Sequence, residues 1–184
     1  YKALKDFLQP VMQALALSLP FLSTQSEEKR TAVIVGVLYF VIYMLTSRAS
    51  KKSALFSGKF KTTDLALNFS LFAGLSAGLI SGLFMYFDMP LFAVLFYILI
   101  YLIENVRKPV GMAYTTDYVK HEILATALSA ESQLKTIWAA VFIFLTGFLA
   151  DKFSLGVAIT AISISGLILF PLLRVHSERQ SKKD

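Results

Sequence analysis

Residues 65–87 run for about 23 positions without a charge, more than the roughly 20 a helix needs to cross a hydrocarbon core of ~30 Å. A stretch of this kind dictates a membrane span, because a helix satisfies its own backbone while presenting apolar side chains all round. Asp88, Met89 and Pro90 interrupt the run, and 91–103 resumes it up to Glu104 and Asn105. The whole reads as a helical hairpin with a very short turn. In its first helix Ser70, Gly74, Gly78 and Gly82 recur every four residues, a stripe on which another backbone can approach closely. That stripe is read as a packing face rather than a contact with solute.

The same apolar character extends over the chain of 184 residues: 56% of it is hydrophobic and its mean hydropathy is +0.64, which excludes a disordered or ordinary soluble protein. Six spans are predicted, at 7–23, 31–47, 65–87, 89–105, 128–150 and 155–173, forming a single all-α polytopic domain over residues 1–184. The first span is short enough that it could begin upstream of Tyr1. The net charge of +6 does not point to nucleic acid, because its distribution follows the membrane. Of the 18 lysines and arginines, fourteen fall on the side that holds both termini, three (Lys29, Arg30, Lys152) on the other, and Lys135 within a span. The positive-inside rule makes the richer side cytoplasmic. The basic segment 48–61 is expected against anionic lipid head groups.

Polar side chains within the spans are the candidate solute or coupling sites, since ionisable groups there face a cavity or one another. Lys5, Asp6, Gln9 and Gln13 lie in the first span and Tyr39 in the second, one turn before Tyr43. Tyr97, Tyr101 and Glu104 share one face of the fourth. Glu131 and Lys135, four apart in the favourable order, form an expected pair in the fifth, with Trp138 continuing the face. Residues 107–127 are too polar to span, and Lys108-Pro109-Val110-Gly111 is expected to end the fourth helix. Ser26, Glu27, Glu28, Lys29 and Arg30 are expected to form an outer loop, and 174–184 a frayed tail.

Enzymatic motifs fail on context. Gly74-Leu75-Ser76-Ala77-Gly78 spells a nucleophile elbow, but mid-span in a helix, with the only histidines, His121 and His176, in cytoplasmic segments. His121-Glu122 lacks the second histidine of a zinc helix, and cysteine is absent, so no metal site and no cofactor is expected. Asn68-Phe69-Ser70 is a sequon at the cytoplasmic edge of a span, where no glycan is expected.

From Arg107 onward the chain resembles a known family. Arg107-Lys108-Pro109-Val110-Gly111-Met112-Ala113-Tyr114, then Val119-Lys120-His121-Glu122-Ile123-Leu124-Ala125-Thr126 and Gly147-Phe148-Leu149-Ala150-Asp151-Lys152-Phe153, look like spans ten and eleven of a major facilitator superfamily transporter. Nearly the whole chain then resembles that family's C-terminal half. It departs from the family where Pro-x-x-x-Arg-Ala is usual near Lys120, and where Ser57-Gly58-Lys59 is all that remains of a glycine-rich basic motif. The resemblance implies a bundle of three plus three inverted spans and alternating access against an N-terminal six-helix half. It also implies secondary transport of a small solute, with proton coupling left open, in a bacterial inner membrane with both termini cytoplasmic. A second reading, of a different class, is a non-transporting module that assembles with a partner through the Ser70 to Gly82 stripe.

Overall fold

The computed structural model describes residues 2–19 and 26–175, and every element among them is helical. In chain order these are α1 (Lys2–Asp6), α2 (Leu8–Ser18), α3 (Glu27–Lys51), α4 (Ser53–Ser57), α5 (Thr63–Tyr86), α6 (Pro90–Tyr118), α7 (His121–Lys152) and α8 (Leu155–Leu173). Five of them, α3, α5, α6, α7 and α8, are long and apolar enough to cross a membrane. The expected first span is instead two short helices broken at Phe7, and its predicted end beyond Leu19 lies outside the described residues, as does the tail from residue 176.

The helix ends follow local chemistry. Ser26 caps α3, whose first turn holds Glu27 and Glu28 and whose last holds Arg48 and Lys51, each sign matched to its end of the helix dipole. The expected loop at 26–30 is therefore mostly helix. Ser154 caps α8 by accepting from the Val157 N–H at 3.2 Å. Pro90 opens α6, where its missing N–H is not needed.

The hairpin turn between α5 and α6 closes with the Met89 N–H donating to Phe84 O at 2.8 Å and the Asp88 N–H to Met85 O at 3.3 Å. This is a Schellman cap with Asp88 at φ 54, a left-handed position that glycine fills more cheaply. Asp88→Gly should raise the melting temperature by the equivalent of about 1 kcal/mol, and Asp88→Val should lower it by a similar amount. Equal melting of the two variants would show that the turn is not under this constraint.

Two expectations near residue 109 are corrected. Pro109 does not end the fourth helix: α6 runs through it to Tyr118, and only Val119 and Lys120 separate α6 from α7. The proline removes one ladder bond, to Asn105 O, at a cost of about 3 kcal/mol. Past it, Val110 is buried against Ala66 and Leu67 of α5, with Phe56, Phe60 and Tyr114 around them. The Thr115 and Thr116 hydroxyls donate to the carbonyls of Gly111 and Met112. Polarity barred 107–127 from the membrane but not from helix. At 1.5 Å per residue α7 is about 48 Å long and overhangs a ~30 Å core.

α5 is the central helix, packed between α6 and α8; α2 and α3 lie against α6, and α7 against α8 and α1. Ser70, Gly74, Gly78 and Gly82 are all buried. A Cβ on Gly78 would lie 2.6 Å from Ser163 Oγ and 2.7 Å from Leu4 Cδ2, and one on Gly82 would lie 2.7 Å from Thr160 N. The stripe is thus occupied within the chain by α8 and α1. At one end of the bundle Asn68 clamps the chain after α8, donating to Val175 O at 2.8 Å and accepting from the Val175 N–H at 2.7 Å. The sequon asparagine is committed to a helix-end contact.

Candidate functional site

The break between α1 and α2 originates in Pro10. Lacking an N–H, Pro10 cannot bond to Asp6 O, and its ring crowds that carbonyl, so the helix parts one turn earlier, at Phe7. The Phe7 N–H reaches Leu4 O only at 3.4 Å. In a bilayer, carbonyls left weakly bonded beside such a break are stabilised by donors from neighbouring helices. α6 supplies them: the buried Tyr97 hydroxyl donates to Leu4 O at 2.9 Å, and the Tyr101 hydroxyl to Lys5 O at 3.3 Å. Two of the sequence candidates therefore hold the backbone around the break, Tyr101 at a third candidate, Lys5, and Tyr97 at the neighbouring Leu4.

The Lys5 side chain turns toward the same face of α6. Its Nζ lies 3.0 Å from Glu104 Oε2 and 4.5 Å from the centroid of the Tyr101 ring, and Lys108 Nζ lies 3.8 Å from Glu104 Oε1. The side chains of Lys5 and Glu104 are 21% and 14% exposed, whereas that of Lys108 is 64% exposed. Glu104 comes 14 residues after Pro90. With the boundary at Pro90 it sits about 21 Å along the helix, within the final third of a ~30 Å core. Charges at that depth are retained only when paired, and one carboxylate here serves two ammonium groups.

Around this centre the structure distributes the remaining candidates. Tyr39 packs against the core that contains Tyr97 and stacks on Tyr43 with ring centroids 5.9 Å apart. Asp6, Gln9 and Gln13 are exposed along the outer face of α1 and α2. Glu131 and Lys135 form the expected ion pair, but at 41% and 65% side-chain exposure, and Trp138 is 62% exposed. That pair lies at the surface of α7 and is not joined to the Lys5 and Glu104 centre. Nearby on α7, Ser129, Ser132, Gln133, Thr136 and Ile137 line an open groove of about 430 Å³. Lys2 bridges from α1 to its edge, donating to Thr136 Oγ1 at 2.9 Å.

Sequence reasoning found Lys5 and Glu104 separately but not as partners, and it missed Lys108, Lys2 and the groove. Pro10, three residues after the break, was the available signal for the pinned carbonyls. Among the described residues no group of histidine, aspartate and glutamate could hold a metal ion. No protein-family model matches the chain, and no curated protein or solved structure matches it.

Proposed function

We propose that the chain is the C-terminal six-helix bundle of a secondary transporter of the major facilitator type, moving a small solute by alternating access. The observation that carries the reading is the Lys5, Glu104 and Lys108 centre between α1 and the long helix α6, beside a helix break pinned by Tyr97 and Tyr101. Interrupted helices with paired charges at membrane depth are where transporters bind solutes and coupling ions. On this reading α1 and α2 belong to the first of six spans, and an N-terminal bundle faces their exposed polar side. Glu104 and Glu131 are the candidate protonation sites. The membrane is a bacterial inner membrane, with the basic 48–61 segment on anionic head groups at its cytoplasmic face.

Reconstitution into liposomes tests the reading. The complete two-bundle protein should show solute flux and the 184-residue chain alone should show none. Flux by the isolated chain would sink it, since one bundle cannot enclose an alternating path. The topology has its own check, because the chain has no cysteine of its own. A cysteine replacing Ser57 should be labelled only from the cytoplasm and one replacing Ser26 only from the opposite side. Labelling of both from one face would overturn the orientation. The alternative, assembly through the Ser70 to Gly82 stripe, gains no support from a face that α8 already covers.

A further inference from the structure

We infer that α4 and the basic residues on either side of it form a preformed docking surface for anionic phospholipid, with the cations on the head groups and Leu55 inserted among them. It rests on the membrane orientation proposed above and adds to it a surface of fixed shape and depth.

Arg48, Lys51, Lys52, Lys59 and Lys61 are all exposed, and no acidic residue falls among them; the next is Asp64. None of the five makes an ion pair among the described residues. Charge concentrated in this way repels itself within the folded chain, and an anionic surface relieves the repulsion. The backbone that carries it is ordered. Turns follow one another from residue 52 to residue 60: the Phe56 N–H donates to Lys52 O at 3.0 Å, the Gly58 N–H to Ala54 O at 2.9 Å, and the Phe60 N–H to Ser57 O at 3.1 Å. Phe56 and Phe60 pack against Ala66, Leu67 and Val110, whereas Leu55 is 70% exposed. The segment thus has two apolar contacts to make, one already made with the bundle and one open, with lysines before and after it in the chain.

Depth identifies the occupant. Val110 comes 20 residues after Pro90, and Ala66 comes 20 residues before Tyr86. At 1.5 Å per residue both stand about 30 Å from the turn between α5 and α6, the thickness of the hydrocarbon core. Phe56 and Phe60 bind α4 to that level, where the head groups begin. The Phe60 ring also meets the ring of Phe69, with centroids 5.3 Å apart, and Phe69 is 54% exposed on α5. α4 therefore adjoins the outer surface of the bundle. A soluble polyanion would match the charge but leave Leu55 in water, and a neutral bilayer would take Leu55 but leave the charge. An anionic phospholipid surface takes both. Because the backbone is already ordered, little freedom is lost on contact.

The test titrates the purified 184-residue chain, in a neutral detergent, with phosphatidylglycerol, phosphatidylcholine or glycerol 3-phosphate. Phosphatidylglycerol should raise the melting temperature and stay with the protein through gel filtration. Phosphatidylcholine, with acyl chains but no net charge, and glycerol 3-phosphate, with charge but no chains, should do neither. Lys52→Gln combined with Lys59→Gln should weaken phosphatidylglycerol binding by about thirtyfold, the worth of two charges at a membrane surface. Leu55→Ser should weaken it by about tenfold, and that loss should persist in about 1 M salt, where the charges are screened. The three substituted side chains are exposed, so without lipid both variants should melt with the unsubstituted protein. An equal response to the two lipids, unchanged phosphatidylglycerol affinity in the double-lysine variant, or equal stabilisation by glycerol 3-phosphate, the mark of a soluble phosphate site, would each overturn the inference. Solute flux enters none of these readouts, so their failure leaves the transporter reading standing, whereas labelling of a cysteine at Ser57 from the outer side defeats the orientation itself.

Discussion

Gly156→Leu should keep α5 and α8 from closing and should be strongly destabilising. A Cβ at residue 156 would sit 2.7 Å from Tyr86 Cα and 2.9 Å from the carbonyl carbon of Met85, both backbone atoms of α5. Side chains can swing away from an intruding methyl group; a helix backbone moves only as a whole. Overpacking costs about 1 to 3 kcal/mol where side chains give way, so the expected loss here is about 3 kcal/mol or more. Gly78→Leu meets side-chain atoms, Ser163 Oγ and Leu4 Cδ2, and should cost less. Gly36→Leu meets nothing within 4 Å and serves as the control. Melting curves of the purified protein in detergent decide the matter, and a Gly156→Leu variant that melts with the Gly36→Leu control would show that α5 and α8 do not approach this closely.

The contrast among these glycines explains what was legible in the sequence. Ser70, Gly74, Gly78 and Gly82 announced a close approach because their spacing is a local, periodic signal. Gly156 carries no such pattern, and its role depends on which helix the chain brings against it. The same holds for the site. Tyr97, Tyr101 and Glu104 could be placed on one face from helix periodicity alone, and Lys5 could be marked as a charge near a span. That Lys5 meets Glu104 across 99 positions of sequence is a tertiary fact. Helix ends were the weakest reading. Polar composition at 107–127 argues against a span, but composition reports on membrane depth, and a helix projecting beyond the bilayer is free to be polar. Pro109 and Pro171 both sit inside helices, where packing against neighbours outweighs the missing bond.

Glu104→Gln should destabilise the protein by about 3 kcal/mol, and Lys5→Gln by about 1. The asymmetry follows from the geometry. Removing the carboxylate leaves the Lys5 ammonium, 21% exposed, without a counter-ion beside the Tyr101 ring, which compensates only in part. Removing the Lys5 charge leaves Glu104 with Lys108 at 3.8 Å, so no charge is stranded. The double variant Lys5→Gln with Glu104→Gln should recover most of the loss, because two neutral amides at 3 Å separation can bond to each other, and the cycle isolates the coupling between the two positions. On the transporter reading flux should not recover with it, since the charged pair itself is gone. Equal costs for the two single variants would mean that Lys108 is no partner of Glu104. Full transport by the double variant would mean that the pair serves only to hold α1 against α6.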